Sequence, residues 1–435
     1  MAKPYELLIT EAVKEIRAGS LSPLELVDSM LERVDATEPR IKAWVHVDAA
    51  GARARAKQIQ DQRAFDGRLA GIPMGFKDLY DVEGMPNAAG FKPWQSRLPK
   101  KDADVVANLR VQGMIPLGKT VTTQFAFSDP PLTRNPWDQN RTASGSSSGS
   151  GASVAAQQVT GALGTQTTGS NLRPAAYNGI VGFKPSYGLL SRRGIEPLAW
   201  SMDHPGILAR SVEDASLILD SMMPKDGGFQ KAAQSPQKPR FGLLAEWVAL
   251  AGPEVRGSLE RTAKTLAGAG AEVKEVTIGI DLELIKAAQW TLLQIEALEL
   301  HRDLFARERE HYLPRMRAMI EVAHTMPAWA YVKAERLRRR IRAAVNALFD
   351  QVDCLLSPVS PDLPPLVSEG TTGDFAFLSA WSMLGLPAFS VPSGMTDTKL
   401  PLAIQIAAPH GRDADAIRTA AWCESVLGRL PAPPL

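Results

Sequence analysis

The chain has 435 residues, 45% of them hydrophobic and 22% charged, with a formal net charge of +2. A chain of this length buries a sizeable core, and so small a charge excess gives no reason to expect nucleic acid, an anionic membrane or a polyanionic substrate. Two cysteines, Cys354 and Cys423, form no C-x-x-C pair and sit in apolar runs, so they exclude a disulfide framework and read as small buried hydrophobes of a reducing, cytoplasmic protein.

The start, Met1–Ile9, lacks the basic and apolar stretches of a secretory signal, and no apolar run reaches the roughly 18 residues of a membrane span. The first 65 residues read as helical: Ser22-Pro23 is a cap followed by proline at the first helical position, and Leu24, Leu26, Val27, Met30, Leu31 and Val34 recur at helical spacing. Gly71 to Asp78 is short, apolar and glycine-bounded, a buried strand leading into a loop. Asp102–Gln112 follows as a helix and Gly113–Gly118 as a turn and strand, and this rhythm predicts an α/β sheet.

Ser144 to Gly151 is a serine-glycine run, followed by a helical stretch at Ala152–Val159 and a second glycine-threonine-serine turn at Gly161–Ser170. Beyond Ser211 a helix carries Val212, Ala215, Leu217, Ile218 and Leu219. Pro224–Pro239 is polar and proline-rich and reads as an exposed connection between two lobes. The remainder predicts a strand at Phe241–Leu244, a helix at Glu254–Ala267 and long helices over Leu282–Phe349. Buried strands follow at Cys354–Leu356, Ala388–Val391 and Ala403–Ile406, and a closing helix at Asp413–Leu427. Arg336, Arg338, Arg339, Arg340 and Arg342 read as a solvated helix face. The chain thus divides into a helical segment (about 1–65), a core (about 66–222), a connection (about 223–239) and a C-terminal α/β part (about 240–430), with no internal repeat.

The serine-glycine run has three readings. It is a flexible linker, a phosphate-cradling loop lacking the Lys-Ser/Thr ending of a P-loop, or a catalytic loop whose glycines admit backbone N–H groups and whose serines relay a proton. A serine nucleophile needs a base. None of the six histidines lies in a glycine-rich turn or G-x-S-x-G elbow, and His204, before Pro205-Gly206, reads as a packing or turn residue. A desolvated lysine is the alternative base. Lys77 follows the apolar stretch Ile72–Phe76, which leaves it either carried inward or snorkelling at the surface. No H-E-x-x-H, histidine cluster or paired cysteine suggests a metal, and no cofactor is expected.

Three motifs in order resemble the amidase signature family: Gly71-Ile72-Pro73-Met74-Gly75-Phe76-Lys77-Asp78, Ser144-Gly145-Ser146-Ser147-Ser148-Gly149-Ser150 and Gly164-Thr165-Gln166-Thr167-Thr168-Gly169-Ser170. The flanks Thr133–Asp138, Gly182–Gly188, Leu386–Gly394 and Pro401–Ile406 agree, and the resemblance covers nearly the whole chain. It implies a single α/β/α unit with a large twisted mixed sheet flanked by helices and an N-terminal helical pair outside. It implies Lys77 as base, Ser146 as bridging serine after a cis peptide bond, and Ser170 as acylated nucleophile. The N–H groups of Thr167, Thr168, Gly169 and Ser170 would line the oxyanion hole, with Ser147, Asn171 and Arg173 as candidate substrate contacts. Trp290, Leu292, Trp329 and Tyr331 are candidate liners of the entrance, alongside a packing role.

The sequence departs from the family at Gln166, where aspartate is usual, at Thr168 and Ser148, where glycine is usual, and at Leu172, where arginine is usual and in several members faces a substrate carboxylate. A β-branched Thr168 is costly if its position needs positive φ. The arginine has moved one place, to Arg173. Gln124–Leu132 is shorter than in glutaminyl-tRNA amidotransferase subunits and lacks their glutamate-serine signature, and the chain ends soon after its final helix. A stand-alone amidase acting on a small amide, urea or hydrazide is therefore expected. The alternatives are an amidotransferase subunit or a catalytically weak homologue that serves as a binding or partner subunit. A homodimer is implied by family analogy alone.

Overall fold

A computed structural model describes residues 3–435. Its centre is one mixed sheet of eleven strands: β1 (Trp44–Val47), β2 (Pro73–Lys77), β3 (Ile115–Thr120), β4 (Gly161–Gln166), β5 (Val181–Lys184), β6 (His204–Ala209), β7 (Arg240–Leu244), β8 (Glu272–Val276), β9 (Cys354–Pro358), β10 (Ala388–Met395) and β11 (Pro401–Ala407). Their order across the sheet is β1-β3-β2-β4-β6-β5-β10-β11-β9-β7-β8. β2 runs parallel to both β3 and β4, and β7 runs parallel to β8 and β9. The stretch from β4 through β6, β5, β10 and β11 to β9 is antiparallel.

Helices cover the sheet, and the buried apolar side chains form two large clusters. One joins Leu26, Met30, Phe76, Leu163, Leu219 and Ile404. The other joins Trp247, Leu292, Tyr312, Phe377 and Trp381. The helix Pro23–Ile41 starts as its sequence indicates, with Ser22 Oγ accepting the Glu25 N–H at 3.1 Å and the Glu25 carboxylate answering to the Ser22 N–H at 2.7 Å. No helix among the described residues is long and apolar enough to cross a membrane. Cys354 and Cys423 are free and buried.

Several local expectations need correction. The first 65 residues contain β1, a half-exposed edge strand that pairs antiparallel with β3. Gly161–Gln166 is a strand, because its glycines and small side chains fit between β2 and β6 where larger ones would collide with Ile218 or Ser147. The helix after the serine loop begins at Ser148 rather than Ala152. Ser148 Oγ donates to Ser144 O, and a Cβ on Gly149 would collide with the backbone of Ala43 and Val121.

The polar connection does not separate lobes. It contains a short helix, Phe229–Ala233, whose Phe229, Ala232 and Ala233 are buried, and the sheet runs on through β7, β8 and β9. In the arginine run, Arg338 turns inward. Its guanidinium donates to Met383 O at 2.6 Å and to Ser201 O at 3.1 Å.

Candidate active site

β2 is flanked on both sides by parallel strands, so its last residue, Lys77, is carried into the interior and is 0% exposed. Lys77 Nζ lies 2.7 Å from Ser146 Oγ and 2.7 Å from Thr165 Oγ1 on neighbouring β4. Among the described residues no carboxylate pairs with it directly. Burial pushes its pKa well below the usual lysine range, and the charge of Asp203 opposes that shift. The neighbouring lysine, Lys119, is equally buried but donates to Tyr80 O at 2.7 Å and pairs with Asp78 at 3.2 Å. Two buried lysines thus differ in kind: one is tied by a direct ion pair and a carbonyl, the other is hydrogen-bonded to two hydroxyls.

The loop carrying Ser146 is held from below. The Gly145–Ser146 peptide bond is cis, as the resemblance implied, and Ser144 takes φ +71°. Ser144 Oγ donates to Thr372 O at 3.0 Å and accepts Arg173 Nε at 2.8 Å. The Arg173 guanidinium also donates to Gly145 O, Gly373 O and Thr372 Oγ1 at 2.9 to 3.2 Å. Ser147 N donates to Ser170 O at 3.1 Å, which ties the loop to the nucleophile turn.

That turn, Thr167–Ser170, joins β4 to the helix Leu172–Asn178. Gln166 Oε1 accepts the N–H groups of Asn171 at 3.0 Å and Leu172 at 2.9 Å, and Gln166 Nε2 donates to Ser382 Oγ at 3.1 Å. Ser382 Oγ in turn donates to Thr168 O at 2.7 Å. Gln166 therefore fills the family's aspartate position as a neutral acceptor. Thr168 does not take a positive φ, so its β-branch carries no backbone penalty. Its Oγ1 accepts Gln289 Nε2 at 2.7 Å from the helix Leu282–Glu308. A Cβ on Gly169 would collide with Leu378, which accounts for glycine there. The N–H groups of Thr167, Thr168, Gly169 and Ser170 donate to no other group among the described residues. Exposure rises from Lys77 and Ser146, both buried, to Ser170, which is half-buried.

The side chains expected as substrate contacts are hydrogen-bonded within the protein. Ser147 Oγ bridges the Thr165 backbone at 3.2 Å, and Asn171 Nδ2 donates to Phe183 O and Ile207 O at 3.1 Å, inside the sheet. Arg173 is 4% exposed and bound to the serine loop, and Leu172 is in the core, so neither supplies a guanidinium to a substrate carboxylate. Ser147 faces β4 across its loop, Asn171 reaches β5 and β6 from the start of the short helix after Ser170, and Arg173 is turned toward the serine loop.

Of the expected liners, Leu292 is core and Trp329 is exposed. Tyr331 donates to Glu296 at 3.2 Å. Trp290 stacks between Phe127 and Phe375, with ring centroids 5.7 and 5.8 Å away.

A cavity of about 180 Å³ adjoins the nucleophile turn. Thr165, Thr167 and Asp203 form part of its polar side, and Leu79, Ala126 and Ile195 part of its apolar side. Sequence reasoning missed Thr165, although it lies within the third motif, and Asp203, although it adjoins the singled-out His204. His204 itself is buried, its Nδ1 at 2.6 Å from Met202 O, and burial lowers its pKa well below the usual value, in keeping with the packing reading.

The amidase family profile matches residues 25–416. The chain is 33% identical to the A-type member of the glutamyl-tRNA(Gln) amidotransferase subunits of Anaeromyxobacter dehalogenans (strain 2CP-C), over the full length of both. Among solved structures it is similar to a crystallised amidase, with 31% identity, TM-score 0.89 and coverage of 97% of this chain and 100% of that one. It is equally similar to a chain from a vestigial protein complex bearing on the origins of an s-triazine catabolic enzyme, with 30% identity, TM-score 0.89 and coverage of 98% and 100%. With that breadth of match and a fold that agrees throughout, the chain belongs to the amidase family of C–N hydrolases.

Proposed function

We propose that this protein hydrolyses the C–N bond of a small carboxamide, urea or hydrazide through an acyl-enzyme on Ser170. The observation that carries the reading is a fully buried lysine, without a paired carboxylate among the described residues, 2.7 Å from the hydroxyl of Ser146. Neutral Lys77 takes the proton of Ser146, and Ser146 takes that of Ser170 as its Oγ bonds to the substrate carbonyl. The N–H groups of the Thr167–Ser170 turn receive the oxyanion, each such donor being worth roughly 10²–10³ in rate. As the tetrahedral species collapses, the relay returns the proton to the departing nitrogen. Water then adds to the acyl carbonyl, loses its proton to the same relay, and releases the acid and free Ser170.

Intact-mass measurement after treatment with a fluorophosphonate tests this. One adduct is expected on the wild type and none on Ser170→Ala. Lys77→Ala is expected to label at least ~10²-fold more slowly at neutral pH. A folded wild type that stays unlabelled at mildly alkaline pH sinks the reading. The full-length match to an amidotransferase subunit favours a second reading, in which a partner completes the enzyme. Copurification of a partner from the source cells, with amidase activity dependent on it, would decide for the second.

A further inference from the structure

Asp203 immediately precedes β6 and stands on the wall of the cavity beside the nucleophile turn. Its Oδ1 accepts the Thr167 hydroxyl at 2.6 Å, and its Oδ2 accepts the N–H groups of Leu198 at 2.8 Å and Ala199 at 3.0 Å. Thr167 is the first residue of the turn whose N–H groups face the reacting carbonyl. Thr165, two residues earlier, contacts Lys77 Nζ. β2 and β6 pair with opposite sides of β4, so Lys77 and Asp203 stand on either side of its C-terminal end, joined to it through Thr165 and Thr167.

We propose that Asp203 is a positioning residue of the relay: it anchors the nucleophile turn through Thr167 and presents a negative charge to buried Lys77. This rests on the relay reading given above.

The surrounding charges leave Asp203 as the acid that acts on Lys77. Arg192 approaches Asp203 from the loop before β6. Glu196 lines the cavity but is bound to Arg97 at 3.2 Å. Asp78, next to Lys77 in sequence, is bound to Lys119. Lys184 lies near His204, and burial keeps that histidine neutral. Burial raises the Asp203 pKa to about 6, which leaves the group ionised at neutral pH. A facing anion favours the lysine's charged form while burial favours the neutral amine. Burial prevails, and Asp203 limits how far Lys77 is depressed.

The test is the rate of fluorophosphonate labelling at Ser170 as a function of pH. Asp203→Asn is expected to move the acid limb of the profile down by about one pH unit. Asp203→Glu, which keeps the charge, is expected to leave the limb in place. Thr167→Val is expected to lower the plateau rate about tenfold, less than outright loss of an oxyanion donor, while Thr167→Ser restores it. An unmoved limb in a folded Asp203→Asn overturns the proposal. If circular dichroism shows that variant unfolded, a wild-type plateau rate in Thr167→Val overturns it instead. Labelling of Lys77→Ala at the wild-type rate would mean that the relay reading itself had failed. Slow labelling of Lys77→Ala beside an indifferent Asp203→Asn would mean that only the Asp203 proposal had failed.

Discussion

Gln166 holds two backbone donors with one neutral carbonyl, and its amide group locks Ser382 and through it Thr168. Gln166→Ala would leave both N–H groups buried without acceptors, at about 1–3 kcal/mol for each orphaned donor. Thermal melting should show a clear drop in Tm, with Ser170 labelling slowed as the turn loosens. Arg173 is the corresponding clamp on the other side. A lysine there keeps the charge but cannot reach acceptors from Ser144, Gly145, Thr372 and Gly373 at once. Arg173→Lys is expected to lose about 2–4 kcal/mol of stability in urea unfolding.

Lys77, Ser146 and Ser170 stood out in the sequence through the three motifs that resemble the amidase signature, whereas the residues alone left Lys77 either carried inward or snorkelling at the surface. The Asp203–Thr167 and Gln289–Thr168 contacts were not legible there, since each joins residues 36 or 121 positions apart through packing that no local pattern records.

At the scale of elements, the closing helix Asp413–Leu427 carries Glu424, whose Oε1 accepts the Val212 N–H at 3.0 Å where the helix Val212–Met222 begins. Burial raises the Glu424 pKa from 4.5 to about 7. The folded state therefore favours the protonated acid. The stabilisation is complete below about pH 4.5 and is lost as pH rises through about 7. Glu424→Gln, neutral at every pH, should match the wild type near pH 5 and exceed it in Tm above pH 8. Equal melting curves at both pH values would show that the carboxyl titrates normally.

The helices at Pro23–Ile41, Val212–Met222 and Asp413–Leu427 were readable because a cap or an apolar stripe marks each. β1 and β8 were not, because β1 is only half-buried and β8, Glu272–Val276, is largely exposed and carries charges without an apolar face. β5 and β6 are short and buried on both faces, where periodicity gives no signal.

For the molecule as a whole, the continuous sheet makes the two halves of the chain one cooperative unit. Cleavage within 224–239 should leave a nicked protein whose pieces stay associated and unfold in a single transition. Two separated transitions would restore the reading of independent lobes. The α/β class was legible because strands and helices alternate along the chain. The continuity came only from the family resemblance, since no local pattern records that β5 meets β10 after some two hundred intervening residues.

That strand order has a consequence for synthesis. The last two strands off the ribosome, β10 and β11, are inserted in the middle of the sheet, between β5 and β9. Until residues 388–407 emerge, a nascent chain holds Lys77, Ser146 and Ser170 beside two unpaired strand edges, a template for aggregation. Premature termination before Ala388 should therefore yield inclusion bodies rather than a smaller active enzyme, and chaperones should engage this chain late in its translation.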